Sequence, residues 1–195
     1  GGSIRIMSGS SPNTNGVSGT VVVSSAASSL MNSGHAVLMT GNAQLMSGDV
    51  SVNTGSGKES GNVIVSVGSS IDRAGNVSVR VGMTENGMIG GHLMMHGGDS
   101  MVGDGGIVEI VSGGGFVHGG DIHVKPEASV GVGGSTLVYG GVGTIGGDVM
   151  VQGGISTSNT NVGGSVMITS GKSMSSSGIV SLSSSSSEME SGVLH

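Results

Sequence analysis

Apolar and polar positions alternate along this chain in short bursts, each introduced by a glycine. The phrase "GGDVMVQGG" at Gly146–Gly154 returns as "GGDIHVKPE" from Gly119 and as "SGDVSVNTG" from Ser47. Anchoring each burst on the glycine before its apolar–x–apolar triplet gives Gly2, Gly19, Gly34, Gly48, Gly61, Gly75, Gly91, Gly106, Gly120, Gly134, Gly147, Gly164, Gly178 and Gly192. The 13 intervals cover 190 residues, a mean period of 14.6, in the range of short repeat architectures. The apolar pair falls at alternate residues, as in Ile4/Ile6, Val50/Val52, Val63/Val65, Val77/Val79, Ile122/Val124, Val149/Val151 and Val166/Ile168. Alternating β-branched residues between glycines signal a strand.

A second glycine follows most anchors seven residues on, at Gly9, Gly41, Gly55, Gly68, Gly82, Gly98, Gly113, Gly141, Gly154 and Gly171. Two halves of about seven residues predict two short strands and two corners per repeat, with glycine at the corners for its access to positive φ. The expected fold is therefore all-β: a flattened, two-sheet parallel β-solenoid (β-helix) of about 14 coils with a ~14-residue repeat. At ~4.8 Å per coil it would form a rod roughly 65 Å long. The Val/Ile pair of one sheet would point inward. It would face small residues of the other sheet at Ser11, Ser28, Ala43, Ser70, Ser100, Ser129, Ser156 and Ser173. The domain reading is one solenoid over 1–195, an excerpt of a longer repeat protein, because neither end departs from the repeat as a cap would.

Composition supports a thin interior. Among 195 residues there are 42 Gly, no Cys, no Trp, one Phe (Phe116) and one Tyr (Tyr139), too little aromatic volume for an ordinary two-layer core. With 9% charged residues and frequent Val, Ile and Met, the chain also lacks the signature of disorder. Six basic against 12 acidic residues leave a net charge of −6, without the basic footprint that nucleic acid requires. No apolar run reaches the ~18 residues of a membrane span.

Candidate chemistry is sparse. Gly141–Gly146 matches G-x-G-x-x-G but leads into a strand pattern, not the helix a dinucleotide needs. Asp49, Asp121 and Asp148 share one column, too isolated to supply calcium with six to eight oxygens. Glu109 and His123 take matching positions in adjacent repeats and would pair across stacked coils as a surface ion pair. His35, His92, His96 and His118 have no neighbouring ligand set. No nucleophile elbow or carboxylate pair is visible, so neither an enzyme nor a cofactor or metal is expected. Asn76-Val77-Ser78 is an N-glycosylation sequon, usable in a secreted chain. Two repeats of 17 residues carry an Asn-Thr-Asn insert, at Asn13–Asn15 and Asn159–Asn161, read as surface loops.

The residue between the two alternating positions should face solvent, yet it is often apolar: Val22, Val37, Ile64, Met94, Leu137, Met150 and Met167. An apolar stripe of this kind is expected to pack against other chains.

The G-G-x-V-x-V-x-x-G-x-S phrase resembles the Gly/Ser/Val-rich repeats of very long secreted or cell-surface proteins of algae and other protists, over essentially the whole chain. That resemblance implies an extracellular or cell-surface structural rod or fibre component, with self-association or other structural proteins as partners and glycans as a further ligand class. The repeat is also similar in length to grass-type ice-binding solenoids, without their ranks of Asn and Thr. Ice binding and a carbohydrate-binding adhesin stalk are the alternatives.

Overall fold

The computed structural model describes residues 2–12, 16–86, 89–185 and 192. Its close approaches group the chain into two units, Gly1–Met94 and Met95–His195. Among the described residues there is no helix and no β-strand, and therefore no sheet. The expected two-sheet parallel β-solenoid is not formed. Coils stacked at the sequence period would set every residue beside one 14 or 15 positions away. The close approaches instead overwhelmingly join residues fewer than 12 positions apart.

The period itself survives in another form. The chain bends at 29–31, 44–45, 57–59, 71–72 and 85–86 in the first unit. In the second it bends at 101–103, 116–117, 130–132, 143–145, 158–161 and 174–175. Each bend begins 9 to 11 residues after an anchor glycine, one per repeat from Gly19 to Gly164. Neither the anchor nor the second glycine lies at a bend. One turning point per repeat, where two corners were expected, cannot close a coil.

Seven backbone hydrogen bonds show what the bend does. The Gly106 N–H donates to the Gly98 carbonyl (2.8 Å), Gly120 to Gly113 (2.8 Å), Gly147 to Gly141 (2.9 Å), Gly164 to Gly154 (2.8 Å) and Gly178 to Gly171 (3.0 Å). In the first unit Gly19 donates to Gly9 (2.9 Å) and Gly91 to Gly82 (3.4 Å). Each bond joins the second glycine of one repeat to the anchor of the next. In a flattened coil those two glycines sit on opposite edges, separated by a strand of about five residues, or roughly 17 Å. Here they touch. Each repeat is thus an apolar arm, from the anchor to the second glycine, followed by a loop whose ends are pinned at a neck.

No described glycine adopts positive φ, so conformational licence does not explain the glycine corners expected from sequence. Close approach does. A methyl group on Gly106 would stand 2.9 Å from the Gly98 nitrogen, and one on Gly164 would stand 2.9 Å from the Gly154 nitrogen. A methyl on Gly97, Gly140 or Gly153 would collide with the carbonyl oxygen of Gly106, Gly147 or Gly164. The same neighbour recurs where the arm ends in a larger residue: Gly48 lies against Thr40, Gly61 against Thr54, Gly75 against Val67 and Gly134 against Pro126.

The serine column is corrected as well. Ser28, Ser100, Ser129, Ser156 and Ser173 do not line an interior. Each stands just before a bend, and its Oγ accepts from a backbone N–H two or three residues on: Met31 (3.1 Å), Gly103 (2.9 Å), Gly131 (3.3 Å), Ser158 (3.3 Å) and Ser175 (3.2 Å). Short hydroxyl side chains stabilise turns in this way. The insert at Asn159–Asn161 extends such a loop, with Ser158 bonded to Thr160 through both side chain and backbone. Its counterpart at Asn13–Asn15 lies outside the described residues, as does most of the serine-rich segment after Ser185.

No described side chain is buried, and the accessible surface is 20483 Å². A folded protein of this mass exposes about 8,300 Å² and its extended chain about 27,000 Å². Only about a quarter of the extended chain's surface is hidden. The shortage of large side chains, read from sequence as a thin interior, yields no interior among the described residues.

Candidate interaction surface

The arms carry nearly all the alternating apolar residues, and shielding along them follows the neck. The residue two after the anchor is half-shielded in most arms, at 44% to 57% exposed in Val21, Val50, Val63, Val77, Leu93, Val108, Ile122, Val149, Val166 and Val180, whereas Ile4 in the first arm is 93% exposed. Val67 and Val81, the last residues before a second glycine, are shielded to a similar degree (45% and 43% exposed). Both positions flank the neck, where two stretches of backbone stand together. The arm's middle has no such shelter.

That middle holds the residues singled out for packing. Val22, Val37, Ile64, Met94, Leu137, Met150 and Met167 are all exposed, from 67% at Leu137 to 84% at Met150 and Met167. Sequence alternation expected the residue after each to turn inward. Instead Val23, Leu38, Val65, Met95, Val138, Val151 and Ile168 are exposed too. The apolar surface is therefore a band along each arm, broader than a single outward stripe.

Two side-chain pairs within arms join residues two apart, positions that share a face where a chain is extended. Ser51 Oγ donates to Asn53 Oδ1 at 2.9 Å, and His123 Nε2 lies 3.8 Å from Asp121 Oδ2. The second pair departs from the expected partner of His123. Glu109 was to reach it across stacked coils, and with no stacking His123 meets the carboxylate of its own arm. Both side chains of that pair are more than four-fifths exposed, which leaves little net attraction.

An open groove of about 530 Å³ lies in the first unit between two successive arms, lined by Val23, Ser24, Ser25, His35, Ala36, Val37 and Leu38. It is one instance of the space between apolar arms, with His35 the sole ionisable group on its wall. Among the described residues no three His, Asp or Glu side chains gather to hold a metal ion. Asp49, Asp121 and Asp148 each follow an anchor glycine on separate arms, exposed. Asn76 is exposed at the start of its arm, open to an oligosaccharide. No described helix is long and apolar enough to cross a membrane.

The structure adds the neck glycines, which sequence reading took for corners. The signal was the doublets: Gly97-Gly98 faces Gly105-Gly106, Gly140-Gly141 faces Gly146-Gly147, and Gly153-Gly154 faces Gly163-Gly164. Paired doublets a loop apart mark two backbones in contact. Compared with family models, curated proteins and solved structures, the chain finds no match.

Proposed function

We propose that this protein is a structural component of an extracellular or cell-surface assembly, held together by packing of its apolar arms against other chains. One observation carries the reading: the alternating Val, Ile, Leu and Met residues of every described repeat stay exposed, with no core among the described residues to receive them. Removing such a side chain from water contributes about 1.5–3 kcal/mol when burial is complete. The arms repeat that offer along the sequence. The small charge density, 9% of residues, opposes association weakly.

The placement outside the cell rests on the resemblance of the Gly/Ser/Val phrase to secreted and surface repeats. Ice binding relied on coils stacked into a flat array, and no described feature favours it or a glycan-binding stalk.

Sedimentation velocity across a dilution series, with electron microscopy of the concentrated sample, tests the proposal. Growth into oligomers or fibres at micromolar concentration is expected. A chain that stays monomeric at every concentration overturns it. Replacing Leu137, Met150 and Met167 together by Ser is expected to raise the concentration for association about tenfold or more, since each ~1.4 kcal/mol is a factor of ten.

A further inference from the structure

We infer that the partner seated on the arms is a second copy of this chain, joined by backbone strand pairing along the arm edges. This rests on the association proposed above and names its partner and its chemistry. The argument begins with hydrogen-bonding capacity. The backbone-to-backbone bonds found among the described residues sit at the necks. The arm segments 107–112, 121–125, 148–152 and 165–169 carry none, although their apolar residues alternate in the manner of strands. Exposed N–H and C=O groups on an extended, apolar, weakly charged segment form a template for another strand.

Three observations point to a second copy as occupant. Among the described residues, adjacent arms are joined by backbone hydrogen bonds only at the neck and no ladder continues past it, so the pairing capacity there is unspent. In most repeats an arm is six residues between two glycines, and the other arms of this sequence largely match that length and its alternation. The surface left exposed is also far more than one ordinary partner would cover. It exceeds that of a compact protein of this mass by about 12,000 Å², against ~1,600 Å² buried in a standard two-protein interface. A chain with many equivalent edges takes many copies, and the glycine necks stop each pairing at the arm's ends.

The test uses the full chain, with association read by sedimentation and pairing read by the amide I infrared band. Aligned samples add diffraction at the strand spacing of ~4.8 Å. Association and β-type amide I signal are expected to rise together with concentration. Met150→Pro with Met167→Pro removes one arm N–H in each of two repeats, and Met150→Thr with Met167→Thr keeps both. The Pro pair is expected to lose a substantial share of the β signal, and the Thr pair to retain it. Association without any β signal, or equal signal in the two variants, overturns strand pairing and leaves the proposed function standing. A chain that never associates overturns both.

Discussion

At the level of single residues, the neck glycines make the sharpest claim. Neighbours within one doublet are not equivalent. A methyl on Gly153 meets the Gly164 oxygen and one on Gly140 meets the Gly147 oxygen, whereas Gly154 and Gly141 have nothing within 4 Å. Gly153→Ala is therefore expected to break the Gly164 N–H bond to the Gly154 carbonyl, and Gly154→Ala to leave it intact. Amide exchange at Gly164 reads the difference, and equal exchange in both variants would refute the neck geometry. The loop serines give a second test. Ser100 Oγ accepts from the Gly103 N–H at 2.9 Å, a bond contributing about 1 kcal/mol. Ser100→Ala is expected to speed exchange at Gly103 several-fold, seen by NMR, without affecting Gly131 two loops further on.

At the level of the repeat, the sequence was legible in its period and misleading in its path. The bends recur at the spacing of the anchor glycines, one in every repeat from Gly19 to Gly164, but not at the two glycine corners that the sequence led one to expect. The coil did not follow. The second half of most repeats, such as Ser100-Met101-Val102-Gly103, has no period-two pattern, so it supplies a loop in place of a returning strand. The second glycine was read as a corner, since glycine spacing alone does not distinguish a turn from a close approach. Alternation also overstated inwardness. Val149 is half-shielded by the neck, while Val151, two residues on, stands clear of it at 73% exposed. Each neck is closed by local contacts, so repeats are expected to open independently. Disrupting the Gly154/Gly164 neck should leave exchange at Gly106 and Gly120 unchanged.

At the level of the whole molecule, the absence of a core decides behaviour. A cooperative fold of 195 residues would absorb roughly 140 kcal/mol on melting, and the heat arises from packing that these arms lack. The dilute chain is expected to warm without a sharp calorimetric transition, and a cooperative endotherm is expected only after association. The exposed mid-arm residues, from Val22 to Met167, were visible in sequence as apolar positions facing outward. What sequence alone did not show is that their neighbours are exposed as well, because that depends on whether an interior exists to receive them. The apparent deficit of Phe, Trp and Leu carried that information, and it fits a chain that completes its packing through others.

Residue-resolved hydrogen exchange on the dilute monomer is the most direct test of this architecture. Slowed exchange is expected at neck amides such as Gly106, Gly120, Gly147 and Gly164 and at serine-bonded loop amides such as Gly103, with the arm amides of Val108, Ile122, Val149 and Val166 exchanging freely. Protection spread along those arms in the monomer, repeating every 14 or 15 residues, would contradict it and restore a stacked coil.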